Sequence, residues 1–301
     1  MIQTYNTGSP ITSYSVSRFG LDGTGSVSSV NSQSPDSTGN VNLTAADIAV
    51  SDGQSVEAVL DEAAALLYNN AGAHNAIYRG ENLGTSVTAA QWAAIANGTF
   101  ADLYIGDYWV IGGVNWRIAA FDYYYKTGDT SCTTHHVVIV PDTSLYSHVM
   151  NDMNITTGGY IGSKMYTEGL AQAKTQINSA FGSGHILSHR QLLVNAVTNG
   201  KPSGCSWYDS TVELMAEQNV YGGKIFGAGN DGSFVPNLVT VDKSQFPLFA
   251  HDPSMISNRQ FFWLRDIVSA VDVAYVNYVG NAGYGTASGS SWVRPAFSIK
   301  S

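Results

Sequence analysis

The sequence predicts an α+β fold, because helical and strand-like segments both occur without a regular β–α alternation. In the region from about residue 77 onward, strand-like segments lie towards both ends, and helix-period segments lie between them. Hydrophobic residues make up 44% of the chain and charged residues only 12%, against about 25% in typical domains. Such a composition builds a core, whereas disordered chains are rich in charge and poor in aromatic residues.

The first fifty residues differ from the rest of the chain. Between Gly20 and Asn40 they consist largely of Ser, Gly, Thr, Asn and Asp, which offer little to bury. This composition predicts an extended linker or attachment segment over residues 1–50.

A helix is predicted over residues 51–72, ending at the Asn69-Asn70-Ala71-Gly72 cluster. Its apolar residues are spaced by four, three and four positions, as in a coiled-coil seam: Val56, Leu60, Ala63 and Leu67. Two heptads are too short to be stable alone in water. The segment is therefore either an oligomerisation helix or an amphipathic helix packed on its own domain.

The main domain is predicted over residues 77–301 and begins with a helix. Thr88 and Gln91 have the spacing of a capping box, and Asn97-Gly98 marks the helix end. Residues 107–111 and 114–118 flank Gly112-Gly113, which indicates a hairpin. A further strand is predicted over residues 136–140.

The middle of the chain is predicted to be helical. Residues 165–181 carry apolar side chains at helical spacing. Ser188 and Gln191 predict a second capped helix that ends at Asn199-Gly200, and a third helix is expected from about residue 210 to 220. Strands follow at residues 261–265, 273–278 and 292–299.

Charge and hydropathy exclude two classes of partner. The net charge is −9 with 14 Lys and Arg, whereas phosphate-backbone binding needs clustered cations, so no nucleic-acid partner is expected. No apolar run approaches the ~18 residues of a membrane helix, so no membrane insertion is expected. The segment Met1–Tyr5 has no basic or apolar region typical of a secretory signal.

No catalytic or metal site is predicted, and neither an enzyme activity nor a cofactor is expected. Cys132, His135 and His136 lack the further ligands that a zinc site needs. Gly204-Cys205-Ser206-Trp207 is similar to the surroundings of a papain-type nucleophile, but the pattern is incomplete. The two cysteines are expected to be reduced and partly buried. Paired carboxylates of a glycosidase are not recognisable in a sequence, so a surface polysaccharide hydrolase remains an alternative.

The stretch 267–293 contains no Lys, Arg or Glu and is rich in Tyr, Ser, Gly and Asn. Rigid aromatic rings give contact area at low entropic cost, and the small polar residues give adaptable hydrogen bonds. This composition predicts a recognition surface. The alternative is a glycine-rich β-meander whose tyrosines only pack internally.

The motifs around this stretch resemble the end of a C-type-lectin-like domain. They are Trp263-Leu264-Arg265-Asp266 before it and Val293-Arg294-Pro295-Ala296-Phe297 after it. The layout is similar to the major tropism determinant family of phage receptor-binding proteins, and residues 160–166 also resemble phage structural proteins. Residues 41–48 are similar to a segment common in phage fibre proteins.

The resemblance implies a lectin-like fold that displays residues from its last strands and loops. The implied ligand-binding residues are Asp272, Tyr275, Asn277, Tyr278, Asn281, Tyr284, Ser288, Ser290 and Trp292. Trp263, Arg265, Arg294 and Phe297 are implied scaffold residues. Calcium-dependent sugar binding is not expected, because Val235-Pro236-Asn237 lacks the carboxylate that would coordinate the ion.

These features predict a phage virion structural protein, either a fibre or a capsid-attached appendage. Residues 1–50 would attach to other virion proteins, residues 51–72 would assemble a homotrimer, and residues 77–301 would bind a host-surface protein or glycan. The expected localisation is the virion. A capsid or tail decoration protein that cements its neighbours without binding a receptor is the alternative with the same fold.

Overall fold

The computed structural model describes residues 29–50, 53–229 and 244–301. The chain divides into two compact units, Met1–Leu67 and Tyr68–Ser301, and each is described by itself.

The first unit contains a short 3-10 turn and a helix. In the turn Ala45–Asp47, the Asp47 carboxylate accepts hydrogen bonds from the backbone N–H and the hydroxyl of Thr44, at 2.9 and 2.7 Å. Helix α1 spans Val56–Tyr68, and the Ser55 hydroxyl accepts from the Ala58 N–H at 3.1 Å. None of the side chains described between residues 29 and 63 is buried, so this part of the chain has no core of its own.

The second unit is a mixed α+β domain, which confirms the predicted fold class. Helix α2 (Ala71–Asn75) follows α1 after a break, and the predicted capping box of helix α3 (Ala89–Asn97) is present. The Thr88 hydroxyl accepts from the Gln91 N–H at 3.2 Å, and the Gln91 side chain accepts from the Thr88 N–H at 2.9 Å.

The predicted hairpin and the strand after it are also confirmed. The first four strands are β1 (Tyr108–Ile111), β2 (Val114–Phe121), β3 (Val137–Pro141) and β4 (Tyr146–Val149). A π-helical turn at Met165–Gly169 then leads into helix α4 (Ala171–Phe181), within the range predicted as helix.

The second predicted helix of the middle region is wrong. The chain forms a long hairpin there, β5 (His189–Thr198) and β6 (Lys201–Ser210), joined by Asn199-Gly200. Both turn residues have positive φ, 51° and 73°, which suits a two-residue hairpin turn. The Gln191 side chain accepts from the Ser210 hydroxyl at 3.0 Å across the hairpin instead of capping a helix.

The third predicted helix is only partly present. Residues Val212–Leu214 form strand β7, and helix α5 covers only Glu217–Tyr221. The first residues of the predicted helix are strand because they pair with Pro295–Phe297.

The remaining elements close the domain. They are α6 (Pro247–His251), a 3-10 turn (Pro253–Ile256), β8 (Phe262–Ile267), β9 (Asp272–Val276), β10 (Ala282–Thr286), β11 (Ser290–Val293) and β12 (Pro295–Ile299). The single strand predicted over residues 292–299 is therefore two strands, divided at Arg294.

The strands described form two five-stranded sheets and the β5–β6 hairpin. The first sheet has the order β1-β2-β3-β12-β7, and the second has the order β10-β9-β8-β11-β4. The chain passes from the second sheet to the first at Arg294, between β11 and β12.

Strand β8 contributes to two hydrophobic cores. Phe262 and Leu264 belong to the core that also contains residues of β1, β2 and helix α4. Trp263 and Ile267 belong to the other core, which includes residues of the β5–β6 hairpin. Because both faces of the strand are covered by packed side chains, the start of β8 is a fixed support for the segments beside it.

Candidate functional site

The residues implied as ligand-binding lie on and between β9, β10 and β11. None of them is buried. The exposed ones are Tyr278, Asn281, Tyr284, Ser290 and Trp292, and the half-buried ones are Asp272, Tyr275, Asn277 and Ser288. The structure brings only some of them together.

Three of these residues share a shallow depression beside the start of β8. Tyr278, Ser290 and Trp292 line it with Ser147, Arg259, Gln260, Phe261 and Ser291, around a volume of about 510 Å³. We call this site the aromatic depression. Three of its rings are exposed, Phe261 by 40%, Tyr278 by 55% and Trp292 by 37%. The ring centres of Phe261 and Tyr278 are 5.5 Å apart.

The backbone beneath the aromatic depression is held by hydrogen bonds. The Phe261 carbonyl accepts from the Trp292 N–H at 2.9 Å and from the Ser291 hydroxyl at 2.7 Å. These bonds tie β11 to the residue that precedes β8. The exposed rings are therefore carried on a fixed backbone.

Asn277 stabilises the turn that displays Tyr278. Its side-chain oxygen accepts hydrogen bonds from the backbone N–H groups of Val279 and Asn281, at 3.0 and 2.9 Å. The Ser257 hydroxyl donates to the Tyr278 carbonyl at 2.9 Å. This arrangement gives Asn277 a positioning role, since its oxygen is already engaged within the turn.

Tyr275 is half-buried, and its ring packs against neighbouring residues of its own sheet. Its ring centre lies 5.3 Å from that of Phe261 and 6.2 Å from that of Trp263. A Cβ on Gly283 of the neighbouring strand would approach the Tyr275 ring to 2.5 Å, so the ring lies closely over that glycine. Tyr275 thus supports the rings of the aromatic depression from one side.

Tyr284 belongs to a different exposed patch. Its ring lies 5.2 Å from that of Phe226, and neither Tyr284 nor Phe226 lines the aromatic depression. Ile225 and Phe226 are both exposed apolar side chains.

Asp272 and Ser288 also lie outside the aromatic depression, and both make internal hydrogen bonds. The Asp272 carboxylate accepts from the Ser269 hydroxyl at 2.8 Å. The Asn154 side-chain oxygen accepts from the Ser288 N–H and hydroxyl, at 3.0 and 2.6 Å. Asp272 pairs with Thr286, at the end of β9 away from Tyr278.

Sequence reasoning missed five residues of the aromatic depression, and three of them, Arg259, Gln260 and Phe261, are consecutive in the chain. These three residues could have been predicted from their position just before the Trp263-Leu264-Arg265 motif. Residues that flank a buried strand reach the surface at its end. Only a tertiary structure places them beside Tyr278 and Trp292.

The four implied scaffold residues are buried. Arg294 donates hydrogen bonds to the carbonyls of Pro141, Met255 and Ile256, at 2.9, 3.0 and 3.1 Å. Burial lowers the pKa of its guanidinium to about 10. The side chain thus joins three segments at the point where the chain changes sheets.

The residues considered for zinc or thiol chemistry are engaged in internal contacts. His135 bonds Asp122 at 2.7 Å, and the His136 ring accepts from the Tyr124 N–H at 3.0 Å. Both cysteines are free and partly buried, as expected. Burial raises the pKa of the Cys205 thiol, opposite to the shift that activates a nucleophilic cysteine. Within the described ranges, no three His, Cys, Asp or Glu side chains form a metal-binding group.

Comparison of the chain with protein-family models, with curated proteins and with solved structures gave no match. The C-type-lectin-like fold therefore stays a prediction. The segment Val235-Pro236-Asn237 lies outside the described residues. Of the helices that the structure describes, none has the length and apolar character needed to span a membrane.

Proposed function

We propose that the chain is a phage virion structural protein, a fibre or a capsid-attached appendage, that adheres to an external surface through its second unit. The observation that carries this proposal is the aromatic depression. It exposes Phe261, Tyr278 and Trp292 together on a backbone fixed by hydrogen bonds. Adjoining exposed rings on a fixed backbone are typical of recognition surfaces.

The electrostatics of the aromatic depression favour adhesion over acid–base catalysis. Its lining side chains include no carboxylate, no histidine and no cysteine. General acid–base chemistry relies on such groups within hydrogen-bond reach of the substrate. The hydroxyl, amide and guanidinium groups that do line it are suited to binding.

The first unit supports the assembly part of the proposal. Val56 and Ala63 are only half-buried and Leu60 is 59% exposed, so the apolar residues described on this side of α1 lack a covering core. Self-association into a homotrimer would cover them. Several copies of a weak site would then act together and raise avidity by ~10²–10⁴.

Combined replacement of Tyr278 and Trp292 by Ala tests the adhesion. We expect the variant to lose most of its binding to host cells, in a pull-down of labelled protein, while its melting temperature stays within a few degrees of the wild type. Ile77→Ala, which also removes an exposed apolar side chain, is the matched control. Undiminished attachment of the double variant would contradict the proposal.

A map of the assembled particle distinguishes adhesion from the cementing alternative. Adhesion requires the aromatic depression to face outward and to be free. If neighbouring virion subunits cover it, the protein is a decoration protein instead.

A further inference from the structure

We propose that the aromatic depression binds an acidic saccharide, with Arg259 pairing with the carboxylate and the aromatic rings packing against the sugar. This inference rests on the proposed function and names its ligand class. It follows from the charge, the ring surfaces and the size of the site.

Arg259 provides a cation without a counter-charge. Its guanidinium makes no hydrogen bond or ion pair with any residue that the structure describes, and no carboxylate lines the aromatic depression. Two other exposed or half-buried arginines, Arg79 and Arg190, are paired with the carboxylates of Asp107 and Asp129. The planar guanidinium matches a carboxylate with two parallel hydrogen bonds.

The backbone of Arg259 is held in an uncommon conformation. Its φ is 62°, in the left-handed region that costs most non-glycine residues about 1 kcal/mol or more. The Arg259 N–H donates to the Ser257 hydroxyl at 3.3 Å, and the same hydroxyl donates to the Tyr278 carbonyl. Ser257 therefore links the backbone of Arg259 to the turn that carries Tyr278.

The rings supply a surface for the apolar face of a sugar. Phe261, Tyr278 and Trp292 expose ring surface at the same site. Aromatic faces carry negative partial charge, and the C–H groups on one face of a pyranose carry positive partial charge. A small anion without an apolar face would make no packing contact with these rings.

Polar groups of the aromatic depression match the hydroxyls of a sugar. Ser147 and Ser290 line the site, and both are exposed. A serine hydroxyl can donate to a sugar hydroxyl and can also accept from one.

The size of the site matches a small ligand. A volume of about 510 Å³ lies within the ~300–1,000 Å³ of small-molecule sites. The aromatic depression therefore accommodates one or two sugar residues.

Matched pairs of methyl glycosides test the ligand class. The acidic probes are methyl glucuronide, methyl galacturonide and the methyl glycoside of N-acetylneuraminate, and the neutral probes are the corresponding glycosides with a hydroxymethyl group in place of the carboxylate. We expect at least one acidic probe to bind the full-length protein about tenfold more tightly than its neutral counterpart in an NMR titration, since a hydrogen-bonded charge contributes ~1.5 kcal/mol or more. Acetate should not bind.

Two variants test whether Arg259 causes the preference for acidic probes and whether Trp292 binds the sugar itself. Arg259→Gln should bring the acidic probe to the affinity of the neutral one, whereas Trp292→Ala should weaken both. Lys201→Gln removes the same charge from an exposed position outside the aromatic depression, and it should leave binding unchanged.

The outcomes separate this inference from the proposed function. If every acidic probe binds no better than its neutral counterpart, the ligand class is wrong. In that case the proposed adhesion still holds if cell attachment depends on Tyr278 and Trp292. If attachment is also independent of these residues, both proposals fail.

Discussion

His189 is a buried imidazole with an unusual environment. Neither ring nitrogen has a hydrogen-bond partner among the described residues, and the ring stacks on that of Tyr124 at 3.8 Å. Burial lowers the pKa of His189 from 6.5 to about 3, with smaller contributions from His136 and Arg265. The ring is therefore neutral in the folded protein over the range in which a free histidine becomes charged.

His189→Phe is expected to make the protein more resistant to acid. Between pH 6.5 and 3 the unfolded chain binds a proton at this residue and the folded chain does not, so the free energy of unfolding falls as the pH falls. At pH 4.5 this loss amounts to about 2–3 kcal/mol. The variant should lack it, and urea unfolding at pH 7 and at pH 4.5 measures the difference.

The pH dependence of other groups cancels in this comparison. Burial raises the pKa of Glu213 and Asp266 and lowers that of His136, and all three remain in the variant. Gln172→Ala, at an exposed position without a titratable group, is the control and should show the acid response of the wild type. An unchanged acid response of His189→Phe would show that this ring takes up no proton on unfolding.

Trp263 and Tyr278 should differ sharply in their effect on stability. Trp263 is 2% exposed and its indole N–H donates to the His148 carbonyl at 2.9 Å, so Trp263→Ala should cost about 3–5 kcal/mol. Tyr278→Ala removes a mostly exposed ring and should cost less than about 1 kcal/mol. Chemical denaturation of the two variants measures both. Comparable losses would mean that the Tyr278 ring is part of the packing.

The β5–β6 hairpin shows how one local signal serves two structures. Ser188 and Gln191 have the spacing of the capping box that Thr88 and Gln91 form in α3, yet they do not begin a helix. The burial of His189, Gln191 and Leu193 alternates with that of their neighbours, which is the period of a strand. Asn-Gly ends helices and also makes hairpin turns, and the tertiary packing decides between them.

Gly200→Ala should destabilise the protein by about 1–2 kcal/mol. Gly200 has a φ of 73°, and an added Cβ would lie 2.9 Å from the Ala270 nitrogen. Both the backbone conformation and the contact oppose a side chain. Gly184→Ala, where no atom lies within 4 Å of the added Cβ, should change stability by less than about 0.5 kcal/mol. Equal thermal unfolding of the two variants would contradict this role of the turn.

The sequence predicted correctly those elements that residues close together in the chain determine. The capping box of α3, the β1–β2 hairpin and helix α4 depend on neighbouring residues, and all are present. Strand β7 depends on pairing with Pro295–Phe297, which no local signal contains. For the same reason, the resemblance implied Tyr278 and Trp292 as ligand-binding residues but gave no indication of Arg259 or of the packing of Tyr275 against Phe261.

At the scale of the whole molecule, the proposed assembly rests on the first unit. Leu60→Asp is expected to convert the proposed trimer into monomers, because it places a charge on the apolar side of α1. Light scattering at micromolar concentration measures the mass, and Glu57→Gln, at another exposed position of α1, is the control. A wild-type protein that is already monomeric would contradict the trimer.

The double hydrogen bond to the Phe261 carbonyl has a consequence for variation at this surface. Backbone and serine donors hold the strands there, and Asn277 holds the adjoining turn, so the side chains at positions 278, 290 and 292 do not carry these bonds. A library randomised at those three codons should consist mostly of folded proteins. Selection from it would change ligand preference without compensating mutations elsewhere.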